Sequence, residues 1–107
     1  MNVLEEIKET LTKDEPYLSS KYSLSSIGLF GAVVKDDFIP GSEIDIIVDF
    51  KKPIGIEIID LTDELEKLLK HKVDLVAKNG IEKGYYKVFR KEILYIWAWI
   101  FELLTIK

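Results

Sequence analysis

The sequence predicts an α/β fold with a small mixed β-sheet of three or four strands, flanked by helices. A length of 107 residues fits one domain, and 48% hydrophobic residues are enough to form a core. Short apolar runs typical of strands alternate along the chain with segments in which apolar residues recur at helical spacing. Helices that follow strands across short connections favour the α/β class. We therefore expect residues 1–107 to form a single domain.

The composition excludes several classes of function. The 15 Lys and Arg against 19 Asp and Glu give a net charge of −4, whereas a dedicated DNA or RNA binder needs clustered positive charge. The absence of cysteine excludes disulfide scaffolds, thiol catalysis and cysteine-ligated zinc, and it favours a reducing cytoplasm. We expect neither a secretory signal nor a membrane span. The N-terminus carries acids, and the apolar run Ile93–Ile106 is shorter than the ~20 residues that a spanning helix needs.

Three elements are predicted in the first half of the chain. A helix spans Asn2–Asp14, with Asn2 as its N-cap and Pro16 ending the helical pattern. A buried strand covers Ser25–Gly31 and ends at glycine, and a loop or short helix follows it. A second strand covers Ser42–Phe50, where β-branched residues dominate.

Three more elements are predicted in the second half. Apolar residues recur at helical spacing over Ile58–Leu69, and this helix ends near His71, which we expect to be exposed. A third strand spans Lys72–Lys78, followed by a turn at Asn79–Gly80. The apolar and aromatic segment Tyr85–Thr105 predicts a last helix.

The residues that suggest chemistry are acids on the predicted strands. Glu43 and Asp45 lie two apart on one strand, so their carboxylates leave the same face and repel each other. A divalent cation relieves such repulsion, and oxygen ligands without His or Cys nearby favour Mg²⁺ or Mn²⁺ over zinc. Taken alone, a Glu-x-Asp pair in a chain with 19 acids is better explained as a solvated strand edge.

Two further features strengthen the interpretation of the acid pair as a site. The run Gly28–Ala32 ends a strand in glycine, where backbone N–H groups can approach a phosphate closely. Asp74 lies among apolar neighbours on the predicted third strand, where an acid needs an explanation. A glycine turn, paired acids and a third acid can together hold a metal-bound triphosphate.

Taken together, these segments resemble the minimal nucleotidyltransferases of the DNA polymerase β-like superfamily, small proteins encoded beside HEPN-domain toxins. That family shows Gly-Ser, about ten variable residues, Ser-Asp-x-Asp with an apolar strand, and later Lys-Val-Asp-Leu-Val. This chain has Gly31-Ala32, then Ser42-Glu43-Ile44-Asp45 before an apolar run, then Lys72-Val73-Asp74-Leu75-Val76. The spacing matches throughout, and the likeness covers roughly Met1 to Ile96.

The resemblance implies a role for each acid of the site. Glu43, Asp45 and Asp74 would be catalytic and would hold two metal ions, Mg²⁺ or Mn²⁺. Asp74 would also help to activate an attacking hydroxyl. The reaction would transfer a nucleotide monophosphate, AMP from ATP, to a hydroxyl of a HEPN toxin, for which this chain would be the antitoxin.

The resemblance also implies which residues bind the nucleotide. The triphosphate of ATP would contact the glycine turn and nearby side chains: Gly31, Ala32, Lys35 and Ser42. Two of the matched positions depart from the family pattern, because Ala32 replaces serine and Glu43 replaces aspartate. A catalytically degenerate module that neutralises the toxin by direct complex formation is therefore an alternative. A small-molecule nucleotidyltransferase ranks below both, because one short domain has little room for a second pocket.

The C-terminal segment and three other acids complete the set of candidates. The aromatic residues at 97–107 exceed what one small core can cover, so we interpret this segment as an added interface for the toxin or for a second copy of the chain. The competing interpretation is a helix that lengthens the core. Asp49, Asp60 and Asp63 are rival candidates for the third acid.

Overall fold

The computed structural model describes residues 2–53 and 55–98. Within them lie four helices and four strands, joined in part by short 3₁₀ turns. In chain order the elements are α1 (Val3–Lys13), α2 (Glu15–Tyr22), β1 (Leu24–Phe30), β2 (Ile44–Phe50), α3 (Glu57–Leu69), β3 (Val73–Ala77), α4 (Lys83–Phe89) and β4 (Leu94–Ala98). The 3₁₀ turns are Gly31–Val33, Lys78–Gly80 and Arg90–Glu92.

The N-terminal helix begins where the capping residue predicts. Asn2 Oδ1 accepts a hydrogen bond from the backbone N–H of Glu5 at 2.8 Å. The predicted helix over Asn2–Asp14 is confirmed as α1, and a second helix that was not predicted, α2, starts at Glu15 with Pro16 in its first turn. Proline is tolerated there, since the first N–H groups of a helix have no intrahelical acceptor. Ser23, with φ of 54°, then ends α2 in the left-handed conformation.

The strands form one mixed sheet in the order β3-β2-β1-β4, which confirms the predicted fold class. Strand β1 is antiparallel to both β2 and β4, whereas β2 and β3 are parallel. One face of the sheet is apolar and packs against α1, α2 and α3 to form the core. Its buried residues include Leu11, Ile27, Leu29, Ile46, Val48, Leu61 and Leu65. Side chains alternate along a strand, so Asp45 and Asp74 lie on the opposite face.

The predicted C-terminal helix over Tyr85–Thr105 is helical only as far as Phe89, and the prediction is wrong over the rest of its described part. The helix α4 ends at Phe89, and the chain then forms strand β4 along the free edge of β1. Pairing with β1 satisfies the backbone groups of both strands, and the run Leu-Tyr-Ile-Trp consists of good strand formers. Trp97 lies opposite Ile27 and packs against the core. Positions 99–107 lie outside the described residues, so the interface role of this segment stays a prediction.

Among the residues that the structure describes, no helix combines the length and the apolar character needed to cross a membrane.

Candidate active site

The site begins at the glycine that ends β1. Gly31 adopts φ of +74° and opens a short 3₁₀ turn. A Cβ atom at this position would collide with Oδ2 of Asp45 and would lie 3.2 Å from Cγ of the same side chain. Both the backbone conformation and the close approach therefore require glycine. The prediction of a strand that ends at a glycine turn is confirmed.

Two carboxyl groups meet beside this turn. The parallel register of β2 and β3 places Asp45 directly opposite Asp74. Burial raises the pKa of Asp45 above its ordinary value, and the negative charges of Asp74 and Glu43 raise it further. The structure thus brings together two acids that are 29 positions apart in the sequence.

The third predicted acid occupies a different kind of position. Glu43 lies just before β2 and is exposed, so the prediction that it sits within the strand is wrong. The preceding segment is held in a turn, because Ser42 N–H donates to Ile39 O at 2.9 Å. Hydrogen bonding toward the neighbouring strand begins at the residue after Glu43, where Ile44 N–H donates to Lys72 O at 2.8 Å. Glu43 is still close enough for its charge to raise the pKa of Asp45.

The paired carboxyls fit a divalent cation. Asp45 and Asp74 supply hard oxygen donors, and a cation between them would relieve the repulsion of the neighbouring negative charges that raises the pKa of Asp45. Within residues 2–53 and 55–98, no three His, Asp or Glu side chains are grouped closely enough to hold a metal ion. The described geometry therefore provides a two-carboxylate site, to which the exposed Glu43 contributes charge.

The residues predicted to contact phosphate surround the glycine turn. Ala32 lies inside the turn, and Lys35 follows one helical turn after Gly31, whose carbonyl accepts its N–H at 3.2 Å. The Nζ atom of Lys35 lies 3.7 Å from Glu92 Oε2. Ser42 is half-buried in the turn before Glu43. Sequence reasoning missed Glu92, because its contact with Lys35 depends on the pairing of β4 with β1.

The rival acids lie in other environments. Asp49 Oδ1 accepts the N–H of Phe50 at 3.0 Å, so this carboxylate is used in a local hydrogen bond. Asp60 and Asp63 are exposed on α3. None of these three residues is among the groups that shift the pKa of Asp45. Asp74 is therefore the strand acid that the fold pairs with Asp45.

The single histidine has a structural contact that its sequence position does not indicate. His71 is half-buried rather than exposed, and its ring meets Phe38 edge-on with centroids 5.6 Å apart. Phe38 belongs to the loop between the glycine turn and Glu43. The contact anchors this loop to the segment that leads into β3, and so stabilises the surroundings of the acid pair.

A strand that ends in a glycine turn, next to paired carboxylates on the neighbouring strands of a small mixed sheet, defines a nucleotidyltransferase class of protein. The sequence profile of the nucleotidyltransferase domain family matches residues 11–96. The chain belongs to this family, and the resemblance inferred from its motifs is confirmed.

Relatives along almost the whole chain carry a more specific name. The protein adenylyltransferase MntA of Thermococcus cleftensis is 36% identical over 97 residues, covering 90% of this chain and 98% of the relative. The Methanocaldococcus jannaschii protein MJ0126, whose assignment as a protein adenylyltransferase is itself an inference, is 39% identical over 98 residues. That match covers 90% of this chain and 100% of the relative.

Solved structures share the fold. A crystal structure of a toxin–antitoxin with AMP-PNP contains a similar chain, with a TM-score of 0.70, 21% identity, and coverage of 85% of this chain and 76% of that one. A structure of the tri-AMPylated Shewanella oneidensis HEPN toxin in complex with MNT antitoxin matches with a TM-score of 0.67 and 19% identity. That match covers 92% of this chain and 79% of the other. At these identities the likeness establishes the fold.

Proposed function

We propose that this chain is a metal-dependent adenylyltransferase that moves AMP from ATP to a hydroxyl of a HEPN toxin and thereby acts as its antitoxin. The observation that carries the proposal is the direct opposition of Asp45 and Asp74 on neighbouring parallel strands, beside a glycine that has no side chain. The name of the Thermococcus cleftensis relative supports protein as the acceptor. The Shewanella oneidensis complex supports AMP as the transferred group and a HEPN toxin as the partner.

The proposed metal ligands are Asp45 and Asp74, with the exposed Glu43 as the third. When bound, divalent cations, Mg²⁺ or Mn²⁺, would stabilise the attacking and leaving oxygens of an in-line displacement. Glu43 supplies the negative charge that the family's aspartate supplies, on a side chain one methylene longer. Its exposed position leaves this side chain free to reach toward the pair.

Asp74 is the proposed proton acceptor in the reaction. The acceptor hydroxyl gives its proton to Asp74 as its oxygen bonds the α-phosphorus of ATP. The bond between that phosphorus and the bridging oxygen breaks, and pyrophosphate leaves. Gly31 lets the triphosphate approach the backbone, while Lys35 and Ser42 offer a cation and a hydroxyl. At Ala32 the backbone N–H remains, although the family's hydroxyl is missing.

The test of this proposal is transfer of labelled AMP to the toxin. The chain is incubated with Mg²⁺, α-labelled ATP and a HEPN toxin. We expect the unmodified chain to label the toxin. The rate of labelling should fall by about a hundredfold in Asp45→Asn, because the reacting atoms lose their alignment. The control variant Asp60→Asn should label the toxin as fast as the unmodified chain. Equal labelling by Asp45→Asn and the unmodified chain would contradict the proposal.

The alternative function is a binding module that neutralises the toxin without chemistry. It is favoured by one observation, since within residues 2–53 and 55–98 no three ligating side chains are assembled for a metal ion. A tight complex with the toxin that forms without label, and equally well with Asp45→Asn, would support this function. In both proposals the protein acts in the cytoplasm, and positions 97–107 contact the toxin or a second copy.

A further inference from the structure

Lys35 forms an ion pair with an acid that is distant in the sequence, Glu92. Its Nζ atom is 3.7 Å from Glu92 Oε2, and the two side chains are 53% and 56% exposed. Its backbone N–H donates to the carbonyl of Gly31 at 3.2 Å, and Gly31 lies against the carboxylate of Asp45. Lys35 therefore contacts Glu92 through its side chain and the glycine turn beside Asp45 through its backbone.

The sheet independently brings Glu92 to this position. In the antiparallel pairing of β1 with β4, Leu94 lies opposite Leu29. Glu92 ends the 3₁₀ turn that precedes β4, and Gly31 opens the 3₁₀ turn that follows β1. The pairing of β1 with β4 therefore brings these two turns to the same end of the sheet, where Lys35 and Glu92 meet.

We propose that Glu92 competes with the triphosphate for Lys35 and thereby lowers the affinity of the site for ATP. Between Gly31 and Glu43 the sequence contains one cationic residue, Lys35, against two acids, Asp36 and Asp37. A triphosphate must draw Lys35 away from Glu92 to gain this cationic contact. Glu92 also places a further negative charge beside the anionic ligand. Glu92 is a positioning residue that acts through Lys35, and this inference rests on the proposed nucleotide-binding function.

The test measures ATP binding in the presence of Mg²⁺ by titration calorimetry. Glu92→Gln should bind ATP about threefold more tightly, the size expected for an exposed ion pair. The control Glu82→Gln removes an exposed acid at the other end of α4 and should leave the affinity unchanged. In a Lys35→Gln background, Glu92→Gln should have less than half of its effect. At about 1 M salt, where the screening length is about 3 Å, the difference should disappear.

The outcomes separate this inference from the proposed function. If the unmodified chain binds ATP and Glu92→Gln binds it no more tightly than Glu82→Gln, the role of Glu92 is overturned and the nucleotide site stands. An equal gain in affinity with and without Lys35 would also overturn it, because the effect would then not act through Lys35. If the unmodified chain binds no ATP at all, the proposed function fails and this inference fails with it.

Discussion

Gly31→Ala tests whether the residue that ends β1 must be glycine because of the carboxylate beside it. With φ of +74°, this position costs an L-residue about 1–2 kcal/mol. The added Cβ would also collide with Asp45 Oδ2, and the repacking of a close contact costs about 1–3 kcal/mol. We therefore expect the free energy of unfolding to fall by about 3 kcal/mol.

Gly41→Ala is the matched control for this substitution. Gly41 has φ of +92°, but a Cβ there would meet nothing within 4 Å, so only the conformational cost of about 1 kcal/mol applies. Urea unfolding and thermal unfolding, both followed by circular dichroism, measure the two variants. In the thermal melts, the melting temperature should fall by roughly 15 °C for Gly31→Ala and roughly 5 °C for Gly41→Ala. Equal losses would refute the argument that the Asp45 carboxylate occupies the space beside Gly31.

Two further predictions concern charged groups. Asp45→Asn should stabilise the fold at pH 7 by about 0.5 kcal/mol, because it removes a like charge directly opposite Asp74. Folding raises the pKa of Asp45, so ionised Asp45 lowers the free energy of unfolding of the unmodified chain when the pH is above that raised pKa. The difference in stability between the unmodified chain and Asp45→Asn should therefore shrink as the pH falls toward the ordinary pKa of 3.8. Thermal melts between pH 4 and pH 8 measure this, and a difference that is independent of pH would count against it. Glu64 Oε1 accepts hydrogen bonds from Lys21 Nζ at 2.8 Å and from Tyr22 OH at 3.1 Å, and so joins α2 to α3. Glu64→Gln should therefore lower the free energy of unfolding, measured in urea, by about 1 kcal/mol. The neighbouring exposed Asp63→Asn should be neutral, and equal losses for the two variants would show that this contact adds nothing.

Local patterns were sufficient to predict most of the elements that position the site. The periodicity of α1 and α3 and the apolar runs of β1, β2 and β3 are properties of neighbouring residues, so they can be recognised without the fold. The helix α2 was missed because Pro16, which follows the end of α1, is equally compatible with the start of a new helix. The strand β4 was missed because its residues are apolar on every side, and only the free edge of β1 decides between helix and strand.

The candidate site was predictable in its residues and not in its geometry. The spacing of Asp45 and Asp74 within recognisable motifs identified both acids, but their direct opposition depends on the parallel register of β2 and β3. The contact of Phe38 with His71 and the ion pair of Lys35 with Glu92 join distant parts of the chain. Such contacts leave no periodic signal in the sequence, because each depends on how whole elements pack.

The central claim is that Asp45 and Asp74 together bind the divalent cation that accompanies ATP. Titration with Mn²⁺ in the presence of ATP, followed by electron paramagnetic resonance, tests it without needing the toxin. The account predicts protein-bound Mn²⁺ for the unmodified chain and for Asp60→Asn, and its loss in both Asp45→Asn and Asp74→Asn. Undiminished Mn²⁺ binding by the latter two variants would contradict it.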